Sequence, residues 1–270
     1  MNFKLWVSVS SEKQFKILKR KNIIGIVPAF YYLSGMGDEF AGLGNEMYVS
    51  LPLILRNKDE STVLSLLEKT QGDSNIKGVI VHNTEGLYII KKVGYNKEII
   101  AGPGMYCWNS EALKIIMRDC NNFSYPLELS KYELKEIGAK DGLLTVYGRT
   151  PLMISANCIR KTGGKCKLKQ RALDKSDSFV YIRDRKNNLL PVSIQCNYCY
   201  NIIYNAIPTS LHEYIMKDVS YTENLLLSFS DEDSQTCGEI VDYYADIISG
   251  KTPKCPLNDF TKAYYNHGVE

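Results

Sequence analysis

Residues Ile76–Val93 read IKGVIVHNTEGLYIIKKV. The first half is a short, apolar, β-branched run, and the second half carries apolar residues at helical spacing. A strand followed at once by a helix is half of a parallel βα unit. The pairing recurs along the first 150 residues. Apolar runs FKLWVSVS, NIIGIVPAF, EMYVSLPLIL, IKGVIVHN, KEIIAGPGMY, FSYPLELS and GLLTVYGR begin at Phe3, Asn22, Glu46, Ile76, Lys97, Phe123 and Gly142. Helix signals follow most of them: SEKQFKILKR with Ser11 as cap, DESTVLSLLEKT, TEGLYIIKKV, NSEALKIIMRDC with Asn109 or Ser110 as cap, and SKYELKEIG with Ser130 as cap and Gly138 as stop. Seven candidate strands are too many for a small flavodoxin-like sheet. They predict an α/β fold, a TIM-like (β/α) barrel in complete, incomplete or degenerate form, with an open doubly wound sheet as the alternative. No G-x-G-x-x-G follows the first strand, which argues against the usual dinucleotide fold.

The chain of 270 residues is long enough for one large domain or two small ones. Hydrophobic residues make up 44% and charged residues 23%, the proportions of an ordinary soluble protein. A net charge of +3, from 33 Lys and Arg against 30 Asp and Glu, neither demands nor excludes nucleic acid. The start, MNFKLWVSVSSEKQ, reads as a strand rather than a signal peptide, and no apolar stretch reaches bilayer length. A cytoplasmic location without membrane contact is the expectation, with thiols kept reduced.

In such a barrel, function gathers where strands end. Ser8, Ser10, Leu53–Arg56, His82, Asn83, Tyr106–Asn109, Glu128 and Arg149 occupy those places. Glu128, Arg149 and His82 are the candidate catalytic residues. His82 directly follows VIV, where a lone histidine more often satisfies a loop than does chemistry. Glu128 and Arg149 end successive strands, so they either pair with each other or face a small anionic ligand, with Arg149 as a forked clamp.

After Arg149 the character changes, dividing the chain into a barrel-like domain, 1–150, and a cysteine-rich metal- or cluster-binding segment with a helical tail, 151–270. SFVYIRDRKNNLLPVSIQC reads as a hairpin, and CNYCYNIIYNAIPTSLHEYI as a turn leading into helical segments. CGEIVDYYADIISG reads as a final helix ended by Gly250. Of eight cysteines, Cys107 and Cys120 read as small apolar residues, and Cys255 lies in the tail. Cys158, Cys166, Cys196 and Cys199 form C-x7-C and C-x2-C pairs, with Cys237 in reserve. A C-x2-C turn aims two thiolates at one ion. The wide C-x7-C suits an iron–sulfur cluster better than zinc, and buried free cysteines are the plain alternative. Arg160, Lys161, Lys165, Lys167, Lys169 and Arg171 surround two of the four; this run is either a solvated face or a polyanion contact.

YPLELSKYELKEI (Tyr125–Ile137), YGRTPLMISANCIRKTGGKC (Tyr147–Cys166), DRKNNLLPV (Asp184–Val192), CNYCYNIIYNAIPTSL (Cys196–Leu211) and the terminal GVE resemble the collagenase-like peptidase family U32, in its carboxyl-terminal barrel and cysteine-rich region. VSVSSEKQ, MYVSLPLILR and the MYCWNSEA region fit the same pattern more loosely. The resemblance implies a 4Fe-4S cluster on Cys158, Cys166, Cys196 and Cys199, with zinc as the alternative. It places Arg149 at the barrel mouth as a ligand-binding residue. It further implies either oxygen-independent hydroxylation of a tRNA or rRNA base or a related aromatic ring, with a prephenate-like small molecule as hydroxyl source, or peptide hydrolysis. No H-E-x-x-H or G-x-S-x-G supports the hydrolase. The family's L-A-P-A-G-like first strand is missing. A third reading is therefore a non-catalytic subunit with a structural metal, paired with a second chain supplying further barrel units. Ala263, Tyr264 and His267 also depart from the family's tail. Under the RNA reading, Tyr198 and Tyr200 either stack on bases or pack in a core.

Overall fold

The computed structural model describes residues 2–35, 45–164, 166 and 179–269. Its main sheet is built from β1 (Lys4–Ser8), β2 (Ile23–Pro28), β3 (Met47–Ser50), β4 (Ile76–Val81), β5 (Glu98–Ala101), β6 (Asn122–Phe123), β7 (Leu143–Gly148), β12 (Thr209–Ser210) and β13 (Asn224–Ser228). The order is β12-β7-β13-β1-β2-β3-β4-β5-β6, parallel throughout except for β12 against β7. The sheet curls on itself. A parallel bridge joins Ser124, just after β6, to Leu143 at the start of β7, and the Tyr125 amide donates to the Leu143 carbonyl at 2.9 Å. Eight parallel strands thus curl into a barrel-like ring whose last contact is this one bridge, in keeping with the barrel-like sheet expected. The eighth strand is NLLLS of β13, which pairs with both β1 and β7. β12 fills the gap beside the far end of β7.

Alternation explains the two faces. Trp6, Ile26, Tyr48, Ile80, Ile100, Leu143 and Leu226 point inward and fill the ring. Trp6 Nε1 donates to Asn224 Oδ1 at 2.9 Å, and the Tyr48 hydroxyl to Glu98 Oε2 at 2.6 Å, so the inward polar atoms near the strand starts are satisfied. The neighbouring Leu5, Val7, Val27, Val49, Val79 and Val81 point outward under the helices. That layer includes α1 (Ala29–Leu33), α2 (Glu60–Gly72), α3 (Thr84–Lys92), α4 (Ser110–Ile116), α5 (Lys131–Ile137) and α7 (Ser234–Ile248). Three stops work as read: Asn109 accepts from Ala112 N, Ser130 and Glu133 form a capping box, and Gly138 closes α5 at φ 62°; Ser11, also read as a cap, makes no capping side-chain hydrogen bond. Glu12–Lys19 is a 3-10 helix.

Beyond β7 lies a second, antiparallel sheet in the order β8-β11-β10-β9, with β8 (Pro151–Ser155), β9 (Phe179–Arg183), β10 (Leu189–Gln195) and β11 (Tyr200–Tyr204). β9 and β10 are the expected hairpin. YNIIY is a strand and not the expected helix: its alternation buries Tyr200 and Ile202 between the sheet and Phe30, Leu53 and Ile54. The short α6 (Ile159–Thr162) follows β8. The spans 1–150 and 151–270 interleave, because β13 and α7 complete the barrel that β1 begins. Among the described residues no helix is long and apolar enough to cross a membrane.

Truncating a ring-filling side chain opens a cavity that rigid strands cannot close. Ile100→Ala should lower unfolding free energy by roughly 2–5 kcal/mol, whereas Tyr88→Ala, on an exposed side chain, should stay within about 0.5 kcal/mol. Denaturant titration reads both; equal costs would contradict the ring as the core.

Candidate functional site at the barrel mouth

Strand carboxyl ends converge on a cavity of ≈ 530 Å³. Its apolar floor is Ile26, Ile80, Leu143 and Leu226. Ser8, Ser50, Ser124 and Ser228 place hydroxyls around it, β8 and Tyr204 form one wall, and the tail closes over with Lys262, Ala263 and Tyr265. The tail is anchored by the Thr209–Thr261 bridge and by Lys131 N donating to the Tyr265 carbonyl at 2.7 Å.

All three candidate catalytic residues line this cavity. Glu128 and Arg149 do so without pairing with each other, which was one of the two readings. Arg149 Nε donates to Asp231 Oδ1 at 2.7 Å, and Nη1 donates to the Asn205 and Ala206 carbonyls. Asp231 also accepts from the Tyr181 hydroxyl at 2.9 Å, so one carboxylate ties β7 to the small sheet. The forked clamp is thus spent inside the protein. Gly148 makes this turn possible: at φ 146° it lies against the Ser228 carbonyl, where a Cβ would collide. This is why glycine stands between Tyr147 and Arg149. Among the described residues Glu128 has no ion-pair partner.

His82 Nε2 sits 2.9 Å from Ser50 Oγ, while its buried Nδ1 has no hydrogen-bond partner among the described residues. Gly102 packs against that side of the ring, and a side chain there would strike Nδ1. Burial holds the imidazole well below its ordinary range, at about 4. The ring is therefore neutral at pH 7.

The cysteines divide as their surroundings dictate. All eight are free thiols. Cys107, Cys120 and Cys237 lie in the main core, where burial pushes Cys107 up to about 12 and Cys120 to about 11. Cys158 follows β8, and Cys196 and Cys199 flank the β10–β11 turn. These three share one end of the small sheet, since Asn201 Nδ2 donates to the Asn157 carbonyl at 2.6 Å and Arg160 Nη1 lies 3.5 Å from Cys196 Sγ. Cys199 takes the left-handed φ of 55°, and Arg56 holds the turn by donating to the carbonyls of Tyr198 and Cys199. Lys58 Nζ approaches Cys199 Sγ at 3.9 Å. Half-buried thiols beside two cations suit a thiolate-held group by donor chemistry. Among the described residues, however, no three His, Cys, Asp or Glu side chains stand close enough to hold one ion. Cys166 is described, but its neighbours Lys165 and 167–178, with most of the basic run, fall outside the described residues. Tyr198 and Tyr200 are buried, which is the core-packing alternative.

Sequence reasoning passed over Ser50, Asp231, Ser228 and Lys262. Ser50 was the last residue of MYVS and could have been read as a strand end. Ser228 and Asp231 needed β13 to be recognised in NLLLSFSDE.

No family model matches the chain, and no curated protein matches it. A solved structure of a U32 peptidase is similar over 86% of this chain and 94% of that chain, at a TM-score of 0.48 and 10% identity. At that score the likeness decides neither fold nor activity.

The His82 environment has a pH signature. An unfolded histidine takes up a proton near about 6.5, whereas folded His82 does so only near about 4. Between these values the unfolded chain binds more protons, so stability falls as pH is lowered through that window. The loss should be on the order of 2 kcal/mol, discounted for the ring's residual exposure. Unfolding titrations at pH 7 and pH 4.5 should show a smaller loss in His82→Asn than in wild type. Identical losses would contradict a neutral, buried ring.

Proposed function

We propose that this chain is an iron–sulfur enzyme of the collagenase-like peptidase U32 type, hydroxylating an RNA base or related aromatic ring without molecular oxygen. The observation that carries the reading is the gathering of Cys158, Cys196 and Cys199 at one end of the small sheet, beside Arg160 and Lys58. With Cys166 they would hold the cluster. When bound, a cluster supplies one-electron chemistry that protein side chains lack. The chain's own residues do the rest. Arg56 fixes the cysteine turn against the loop that follows β3. β8 lines the cavity along Pro151–Ile154 and leads directly to Cys158. The cavity has room for an aromatic ring above its apolar floor, and Lys262, Ala263 and Tyr265 of the tail form part of its lining.

The hydrolase reading is favoured by a different observation, the 2.9 Å contact between Ser50 Oγ and His82 Nε2. That is the reach of a nucleophile and its base. No third group orients His82 from Nδ1 among the described residues, and a base held near about 4 is weak at neutral pH. The iron–sulfur reading therefore ranks first.

Protein purified without oxygen should carry about four irons and four acid-labile sulfides per chain, the content of a cubane cluster. Cys199→Ser should lose most of this iron, while Cys120→Ser, altered in the main core, should keep it. Equal iron content in both variants, or zinc in place of iron, would overturn the assignment.

A further inference from the structure

We infer that the barrel-mouth cavity receives an uncharged molecule through a carbonyl or amide oxygen, with the Ser50 hydroxyl as donor and His82 as the residue that turns its hydrogen inward. The inference rests on reading the mouth as the functional site, and not on the identity of any metal.

Hydrogen-bond satisfaction sets the His82 tautomer. A buried N–H without an acceptor is rarer than a bare acceptor. Nδ1 is buried, lies against Gly102 and finds no partner among the described residues, so it carries the lone pair. Nε2 then carries the hydrogen and donates to Ser50 Oγ at 2.9 Å. Ser50 must spend its own hydrogen elsewhere. It makes no other side-chain hydrogen bond among the described residues, and it lines the cavity. The hydroxyl is thereby a fixed donor aimed at whatever enters. Gly102 is the positioning residue, because a side chain there would displace the ring.

Charge decides what enters. The two cations of the lining are already matched: Arg149 by Asp231 at 2.7 Å, and Lys262 by Glu213 at 2.7 Å. Glu128 adds a carboxylate with no ion-pair partner among the described residues. An anion would therefore meet a slightly negative mouth. Ser8, Ser124 and Ser228 supply further neutral polar contacts, and the floor of Ile26, Ile80, Leu143 and Leu226 takes an apolar body. A cavity of ≈ 530 Å³ is within the range of small-molecule sites.

Three probes of equal shape separate the possibilities: benzamide, benzoate and benzylamine, titrated into the full chain at millimolar concentration by ligand-observed NMR. Benzamide should bind, with benzoate at least about tenfold weaker. Ser50→Ala should weaken benzamide by about tenfold, the effect of one well-placed hydrogen bond. Glu128→Gln should narrow the gap between benzoate and benzamide. Nitrogen NMR of His82 should report the hydrogen on Nε2. Preference for benzoate or benzylamine, an unchanged benzamide affinity in Ser50→Ala, a hydrogen on Nδ1, or no binding of any probe would each overturn the inference. Iron content in the same samples is independent of these outcomes, so loss of the cluster reading and loss of this one are told apart.

Discussion

The pairing of β1 with β13 holds the molecule together. Lys4–Ser8 lies register to register beside Asn224–Ser228, and the Trp6 indole donates to Asn224 across 218 residues of chain. Until that contact forms, β1 and β7 are sheet edges and the inward side chains have no enclosure. Once it forms, seven buried side chains fill one ring, and eight strand ends surround one cavity. Such a fold delays its reward, because so distant a contact requires most of the chain to be ordered first.

The same constraint explains how much was legible in the sequence. Seven strands and their helices announced themselves through local signals: β-branched runs, Ser130 with Glu133, Asn109, and Gly138 at positive φ. Those signals act within a few residues and need no tertiary context. The eighth strand did not announce itself, because NLLLS lacks β-branched residues and follows an irregular segment without a helix between. YNIIY reads as helical from sequence because its apolar residues suit either period, and only the partner strands β8 and β10 decide it. The site was legible in part. His82, Glu128 and Arg149 do reach the mouth because each follows a barrel strand or its extension. Their partners were not legible, since Asp231 lies beyond the unrecognised strand and Ser50 acquires its role only through His82.

Electrostatically, the mouth is quiet. The protein pairs its arginine there with partly buried Asp231 and its lysine with exposed Glu213, and so docks the small sheet and the tail onto the barrel. What remains for a ligand is directional and neutral: a set of serine hydroxyls, one of them aligned by a histidine that burial keeps uncharged. Such a site selects by hydrogen-bond direction and shape, because a buried donor left unmatched costs more than a matched one gains, while Glu128 disfavours anions. The small sheet walls this cavity with β8 and carries the cysteine turn, and Arg56 fixes that turn relative to the loop after β3.

The proposed function requires iron at the cysteine turn beside the barrel. Diffraction from crystals grown without oxygen, recorded on both sides of the iron absorption edge, tests it most directly. The account predicts anomalous density enclosed by Cys158, Cys196 and Cys199, with Cys166 drawn in as the remaining ligand. Ordered free thiols at these positions, with no iron signal between them in protein that was never exposed to air, would contradict it.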